Sequence, residues 1–288
     1  MILGDLILQS RKNKKWKFSG IDCLQECLNK DHFRSYPHHV EYNYNSRGFR
    51  DAEWPQSLSE LKNSIWCVGD SFTVGVGSPY NFTWPQVLSA ATGRRCINVS
   101  MDGASNNWIS RRSQQIIKEV APKQMVVLWS YGHRRELPDT NLPDEDRRVR
   151  SDKYDSESDN ITNFINCYIS LKKSNAGTTI FNGIIPNSDV NEIFEHVTRS
   201  WNNIKDVSWP DSFPSTLTEF NQLPDHVKKE SRSVFTQVNF DIWFLSNNFY
   251  RQNQLLQLSN LDYARDYHHF DLVTSNFFVQ KILENFNG

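Results

Sequence analysis

The stretch "SIWCVGDSFTVGVGS", residues 64–78, holds the two features that decide the fold, a short apolar run and the polar turn that ends it. Residues 65–68 have the length and composition of a strand buried on both faces. Gly69, Asp70 and Ser71 follow at once, and sites in open parallel sheets form beyond the carboxyl ends of the strands. The serine is therefore either a nucleophile displayed at a strand end or part of a glycine-rich turn.

Helical and strand-like segments alternate on the C-terminal side of this stretch. Helices are predicted over residues 83–93, 106–122 and 161–174, and strands over residues 95–100, 124–130 and 178–185. Such alternation is typical of βαβ units in a parallel sheet. A last amphipathic helix is predicted over residues 273–286, with Asp271 placed to cap its start. The fold class we expect is α/β, with three α/β/α layers and a mostly parallel open sheet.

Three segments lie outside this regular alternation. Residues 1–60 are rich in Lys, Asn, Tyr and His and are predicted to form an irregular N-terminal extension. The α/β domain then spans residues 61–288 and includes a variable insertion over residues 187–255. Charges of both signs are dense over residues 133–160, which we expect to be a solvated loop or else the rim or lid of a site.

Composition limits the classes of partner. The 288 residues carry a formal net charge of −1, so no strong field favours nucleic acid or an anionic membrane. No apolar run approaches the roughly 18 residues that cross a bilayer. The N-terminus has an apolar stretch before its basic residues, the reverse of a signal peptide. We expect a cytoplasmic or otherwise unsecreted protein, and the oligomeric state stays open.

Cysteine and glycine patterns give little support for a metal or a nucleotide. Three cysteines fall in predicted strands or helices as small hydrophobes: Cys67, Cys96 and Cys167. Cys23 and Cys27 are spaced as a helical pair and lack a second Cys/His pair for zinc. The glycines of residues 69–77 lack the lysine of a P-loop and do not directly open a helix as a dinucleotide fingerprint does. We expect no cofactor and no metal.

A serine hydroxyl is a poor nucleophile unless a base and an orienting group accompany it. The stretch "LDYARDYHHFD", residues 261–271, offers both, because Asp266 and His269 lie three residues apart just before the last helix. On a turn, this spacing lets the carboxylate meet one imidazole nitrogen while the other nitrogen faces a serine. His268 and Asp271 are neighbours that leave the assignment ambiguous. For the serine itself, the alternative role is a helix N-cap.

Together these segments resemble the SGNH, or GDSL, hydrolase superfamily. Its Gly-Asp-Ser block resembles residues 68–72, its oxyanion-glycine block resembles residues 98–107, and its Asp-x-x-His block resembles residues 266–269. Residues 45–55, "NSRGFRDAEWP", are similar to a segment that precedes Gly-Asp-Ser in some members. The resemblance covers roughly residues 43–286 and implies an SGNH/flavodoxin-like fold.

The resemblance implies a serine esterase with a Ser-His-Asp triad. Ser71 would be the nucleophile, His269 the general base and Asp266 the group that orients the imidazole. The backbone N–H groups of Ser71 and Gly103 would form the oxyanion hole. Gly69 would allow the tight turn that lifts the serine out of the sheet. The implied partner is a small-molecule or carbohydrate ester, for example an O-acetylated sugar.

The third block of the family, Gly-x-Asn-Asp, has no counterpart in "LWSYGHRRE", residues 128–136. His133 or Arg134 is expected to supply an oxyanion donor, to hold an anionic substrate, or to pair with acids of the following loop. Asn106 or Asn107 is the alternative donor, and losing one donor can cost about 10²–10³ in rate. Two other functions stay open: an O-acyltransferase that uses the same serine, and a non-catalytic binding or structural protein.

Overall fold

A five-stranded parallel sheet lies at the centre of the computed structural model. The structure describes residues 3–17, 40–132, 134–136, 141–150, 157–175, 177–184, 242–244 and 269–286. The predicted insertion therefore lies outside the described residues except for one strand, and so do Cys23 and Cys27. Within the described segments, no helix is both long and apolar enough to cross a bilayer.

The described strands and helices follow the predicted alternation. The strands are β1 (Lys15–Lys17), β2 (Glu41–Asn43), β3 (Ile65–Gly69), β4 (Cys96–Ser100), β5 (Gln124–Trp129), β6 (Arg134–Glu136), β7 (Arg148–Arg150), β8 (Thr179–Ile184) and β9 (Ile242–Phe244). The helices are α1 (Leu58–Asn63), α2 (Ser71–Val74), α3 (Trp84–Thr92), α4 (Asn106–Val120), α5 (Glu157–Ser174) and α6 (Leu272–Phe286). The boundaries in the α/β region differ from the predicted ones by a few residues at most.

The central sheet has the strand order β4–β3–β5–β8–β9, and every neighbouring pair is parallel. The chain moves from β3 to β4 on one side and then returns to β5 on the other side of β3. This reversal creates a crevice beyond the carboxyl ends of β3 and β5, where open α/β sheets bind ligands. The Gly-Asp-Ser turn and residues 130–134 both lie at that edge.

Alternate side chains of β3 show how the three layers form. Trp66 and Val68 belong to the core cluster that includes α4 and α5, whereas Ile65 and Cys67 belong to the cluster that includes α3 and α6. Successive strand side chains point to opposite faces, so a strand covered on both faces is apolar throughout. The predicted α/β/α architecture is confirmed. Free, buried thiols at Cys67, Cys96 and Cys167 agree with their prediction as small hydrophobes.

The described part of residues 1–60 contributes to the core of the sheet. Leu3, Leu6 and Leu8 are buried in the same cluster as α4, together with Phe49 and Trp54. Apart from β1 and β2, the described chain near these residues is mostly turns, bends and irregular backbone, as the sequence predicts. Its apolar side chains are nevertheless packed rather than peripheral. The domain boundary at residue 60 stays a prediction.

The described parts of the charged segment over residues 133–160 include regular structure, whereas the sequence favours a solvated loop. Its strands β6 and β7 pair antiparallel. Asp144 accepts hydrogen bonds from Trp108 Nε1 at 2.7 Å and Arg112 Nη2 at 2.5 Å, both on α4. Arg111 Nη2 also lies 3.1 Å from Asp144 Oδ1. Opposite charges on neighbouring elements therefore hold this segment against the helix.

Candidate active site

Ser71 is the first residue of α2, directly after β3. Asp70 caps this one-turn helix, because its Oδ1 accepts the Phe72 N–H at 3.1 Å. Gly75 ends the helix in the left-handed conformation, and its N–H donates to the Ser71 carbonyl at 3.0 Å. Short-range hydrogen bonds thus fix the turn at both ends, and the serine stands at the carboxyl edge of the sheet.

Gly69 is required here for lack of space. A Cβ atom on Gly69 would lie 2.1 Å from Thr73 Oγ1 and 3.0 Å from the Leu128 carbonyl oxygen. Its φ does not fall in the left-handed region, unlike that of Gly75. The position needs a glycine because α2 closely approaches the end of β3 and β5, and not because of a special backbone conformation.

Asp70 connects the loops that follow β3 and β5. Its Oδ2 accepts hydrogen bonds from Ser130 Oγ at 2.7 Å and from Arg134 Nη1 at 2.8 Å. The side chains of Asp70 and Arg134 are 0 % and 7 % exposed, so this is a buried ion pair. Burial raises the pKa of the Asp70 carboxyl, although Arg134, Ser130 and the Phe72 N–H favour its ionised form.

His269 lies beside the residue that follows Ser71 in the chain. Its ring centroid is 4.8 Å from that of Phe72, and the imidazole is fully buried. Phe270 packs edge-on against the same Phe72 ring, with 5.1 Å between the ring centroids. A positive charge on His269 also favours the ionised form of Asp70, which lowers the pKa of that carboxyl. The structure thus brings the predicted base to the Gly-Asp-Ser turn.

Ser71 itself is enclosed in this structure. The residue is 0 % exposed, and its Oγ has no hydrogen-bond partner within the described part of the chain. A hydrogen bond between Ser71 and His269 is therefore not formed. This buried position differs from the displayed nucleophile that the sequence predicts. Asp266 lies outside the described residues, and so does His133.

The predicted oxyanion loop is attached to the end of β3. The Met101 N–H donates to the Gly69 carbonyl at 3.2 Å, and the Ala104 N–H closes a turn onto Met101 at 2.9 Å. Gly103 occupies this turn with φ +69°, a left-handed conformation that glycine adopts without strain. Among the described residues, no acceptor takes the backbone N–H of Ser71 or of Gly103.

The two candidate asparagines engage in other contacts. The Asn106 Nδ2 donates to the Ser130 carbonyl at 3.1 Å, and its Oδ1 accepts the Ser130 N–H at 2.8 Å. The Asn107 side chain bonds reciprocally with Asn163 of α5, at 2.9 and 3.2 Å. Asn106 therefore positions the loop after β5, and Asn107 joins α4 to α5.

Arg134 forms an ion pair, which is one of the roles that the sequence left open, but its partner is not the expected one. It pairs with an acid, but the acid is Asp70 of the Gly-Asp-Ser turn rather than one of the following loop. Its guanidinium carbon also lies 4.9 Å from the centroid of the Tyr131 ring. Sequence reasoning missed this ion pair, although both residues follow strands that the reversal of strand order places side by side.

Metal chemistry receives no support from the described side chains. They include no group of three or more His, Cys, Asp or Glu residues that could hold a metal ion.

The solved structures that are similar to this chain share little of its sequence. A scan of protein-family models and a search of curated proteins each found no match. The chain is similar to a member of the lipolytic protein G-D-S-L family from Veillonella parvula, with 13 % identity, a TM-score of 0.41, and coverage of 78 % of this chain and 98 % of that one.

Two further solved structures give similar values. A family two carbohydrate esterase from Clostridium thermocellum is 11 % identical, with a TM-score of 0.43 and coverage of 81 % of this chain and 65 % of that one. The periplasmic domain of a lipopolysaccharide acetyltransferase from Salmonella ser. Paratyphi A is 15 % identical, with a TM-score of 0.37 and coverage of 79 % and 84 %.

Proposed function

We propose that this protein is a serine esterase of the SGNH type. The observation that carries the proposal is the packing of the His269 ring 4.8 Å from the ring of Phe72, the residue next to Ser71. This contact joins two motifs from opposite ends of the α/β region at the crevice where the strand order reverses. A serine and an imidazole at such an edge are the minimum for nucleophilic acyl chemistry.

The proposed reaction proceeds in two halves. Ser71 Oγ attacks the ester carbonyl while His269 takes the hydroxyl proton, and the N–H groups of Ser71 and Gly103 stabilise the oxyanion. Collapse breaks the bond to the alcohol, and the imidazolium returns the proton to the departing alkoxide. Water then attacks the acyl-enzyme, with His269 as base, and releases the acid. Asp266 is the proposed orienting carboxylate.

The proposed substrate is a small ester, with O-acetylated carbohydrate as the first class to test. This choice rests on the resemblance of the three sequence blocks to a superfamily and is an argument by analogy. The enclosed Ser71 favours acyl transfer as a second candidate, since a transferase uses the same serine but keeps water from the acyl-enzyme. The buried Arg134–Asp70 pair, where the family has its asparagine block, favours a non-catalytic binding protein instead.

A fluorophosphonate probe tests the proposal, because it reacts with activated serines. We expect one label per chain, located at Ser71 by peptide mapping. The label should be absent in Ser71→Ala and slowed by at least about 10³ in His269→Gln. Ser113→Ala is the matched control, since Ser113 is also fully buried with no hydrogen-bond partner for its Oγ among described residues. Wild-type protein that takes no label, or takes it elsewhere, contradicts the proposal.

Product analysis then separates the two enzymatic candidates. An O-acetylated xylo-oligosaccharide is incubated with the protein in the presence of an unacetylated sugar acceptor. Release of free acetate, lost in Ser71→Ala and kept in Ser113→Ala, supports the esterase. Acetylation of the acceptor without release of acetate supports the transferase.

A further inference from the structure

We propose that Ser78 and Arg50 are positioning residues that hold the Ser71 loop against the segment that carries His269. The inference rests on the proposed function and adds two residues to it. Neither side chain needs to contact the substrate. Their effect is exerted through the backbone of residues 74–78 and of Phe270.

The Arg50 guanidinium is buried among backbone carbonyls at and beyond the C-terminal end of α2. Its Nη1 donates to the carbonyls of Val74 at 3.0 Å and Gly75 at 2.6 Å, where the helix ends. Its Nη2 donates to the carbonyls of Ser78 at 2.9 Å and Glu41 at 2.8 Å. Carbonyls at a helix end have no partner within the helix. Arg50 supplies donors to them and so fixes the course of the loop that leaves α2.

The aromatic side chain of Tyr42 also supports this loop. We call Arg50 and Tyr42 together the brace of the loop. The Arg50 guanidinium carbon lies 4.1 Å from the centroid of the Tyr42 ring, and the Tyr42 hydroxyl accepts the Gly77 N–H at 2.8 Å. No carboxylate of the described residues forms an ion pair with Arg50. A buried cation is costly unless it is well hydrogen-bonded. Its placement among carbonyls therefore points to a role in holding the backbone.

Ser78 connects the braced loop to the His269 segment. The residue is fully buried, its N–H donates to the Gly75 carbonyl at 3.2 Å, and its Oγ donates to the Phe270 carbonyl at 2.6 Å. In the described part of the chain, this is the side-chain hydrogen bond that joins the loop after Ser71 to the residue following His269.

The His269 segment is held closely on its other sides as well. Phe270 lies between the rings of Phe72 and Phe278, and Asp271 Oδ1 accepts the Thr274 N–H at 2.6 Å to cap α6. Without the Ser78 hydroxyl, the buried Phe270 carbonyl loses its donor, and the backbone beside His269 shifts to find another. A misplacement of 1 Å at a reacting group can cost on the order of 10²-fold in rate.

Ser78→Ala and Ser110→Ala form a matched pair of variants. Ser110 is also buried, and its Oγ donates to the Cys167 carbonyl at 2.7 Å, between α4 and α5. Both variants remove one buried hydroxyl-to-carbonyl bond, and Ser110→Ala also removes the acceptor of Gln114 Nε2 at 2.9 Å, so its melting temperature should fall at least as far as that of Ser78→Ala. We expect the rate constant of fluorophosphonate labelling at Ser71 to fall at least about tenfold in Ser78→Ala and less than about twofold in Ser110→Ala.

Arg50→Lys and Arg112→Lys extend the test to the brace. Arg112 is a buried arginine of α4 that pairs with Asp144, so its replacement is similar in chemistry but remote in position. A lysine keeps the charge but cannot reproduce the forked contacts of a guanidinium. We expect slower labelling in Arg50→Lys than in Arg112→Lys at equal loss of melting temperature. If Ser78→Ala does not fold, the comparison of Arg50→Lys with Arg112→Lys tests the positioning role.

A second readout keeps the inference separate from the proposed function. The imidazole resonances of His269, assigned with His269→Gln, are followed by NMR as the pH is changed. Their shifts and titration midpoint should change in Ser78→Ala and stay unchanged in Ser110→Ala. If the wild type takes no fluorophosphonate label, the proposed function fails, and the His269 resonances still test the positioning role. Equal behaviour of the two serine variants in labelling and in NMR overturns the inference.

Discussion

At the scale of single residues, the Asp70–Arg134 pair determines the electrostatics beside Ser71. Two charges have been removed from water, and each is costly when buried alone. Asp70 offsets this cost with three donors, namely the guanidinium, the Ser130 hydroxyl and the Phe72 N–H. The pair fastens the loop after β5 to the turn that carries the proposed nucleophile.

Removing Arg134 should therefore destabilise the folded protein strongly. We expect Arg134→Gln to lower the free energy of unfolding by about 3–5 kcal/mol, because it leaves the buried Asp70 carboxyl without its cation. It should also raise the pKa of Asp70 further, since Arg134 is the largest of the effects that lower it. Urea unfolding at neutral pH measures the first effect.

An exposed ion pair serves as the control for Arg134→Gln. Lys281 Nζ lies 2.8 Å from Glu284 Oε2, and the Glu284 side chain is 59 % exposed. Lys281→Gln should change stability by less than about 1 kcal/mol. Equal effects of the two substitutions would mean that the Asp70–Arg134 pair is solvated in the protein.

The contact between Gly69 and Thr73 gives a second prediction at this scale. Gly69→Ala should destabilise the protein by about 1–3 kcal/mol, since the added Cβ meets Thr73 Oγ1 at 2.1 Å. Thr73→Ala removes that atom, so the double variant should be more stable than the sum of the single effects predicts. A double-mutant cycle by urea unfolding measures this coupling. Additive effects contradict the close approach.

At the scale of secondary-structure elements, one carboxylate fastens the β6–β7 segment to α4. Asp144 contacts Trp108, Arg111 and Arg112, while Arg111 also donates to Glu136 of β6 at 2.6 Å. Partial burial opposes ionisation of Asp144, but the two guanidinium groups and the indole N–H outweigh it and lower its pKa. Charge pairing therefore holds the described part of this segment against α4.

This arrangement predicts how stability depends on acid. A carboxyl whose pKa is lower in the folded than in the unfolded protein stabilises the fold above its unfolded pKa, about 3.9 for Asp. That stability is lost as the pH falls through the folded pKa. We expect Asp144→Asn to be less stable than wild type at pH 7 and to lose less stability between pH 5 and about pH 3. Urea unfolding across this range measures both effects.

The exposed neighbour Asp146 provides the comparison for this measurement. Asp146→Asn removes the same charge from the same short turn, where the side chain faces solvent. Its acid profile should follow that of the wild type. If Asp144→Asn and Asp146→Asn give the same profile, the contacts of Asp144 with α4 do not contribute to stability.

At the scale of the whole molecule, the sequence predicts the regular part of the fold well. Continuous apolar runs mark β3 and β5, the amphipathic pattern marks α4, and Asp271 caps α6 as expected. These features depend on local periodicity and on short-range hydrogen bonds. The parallel arrangement then follows from the alternation of strands and helices.

Long-range pairings could not be predicted in the same way. The contacts of Arg134 with Asp70 and of Ser78 with Phe270 depend on which loops meet at the sheet edge. Likewise, Leu3 and Phe49 lie in segments without periodicity, and only tertiary packing places them in the core.

The central claim for the molecule is that the Ser71 hydroxyl and the His269 imidazole act as a pair. A crystal structure of the protein phosphonylated at Ser71 tests it most directly, since catalytic hydrogen bonds tighten when the site is occupied. The account predicts an imidazole nitrogen about 2.6–3.2 Å from Ser71 Oγ. An imidazole out of hydrogen-bond reach and turned away from the adduct would contradict it.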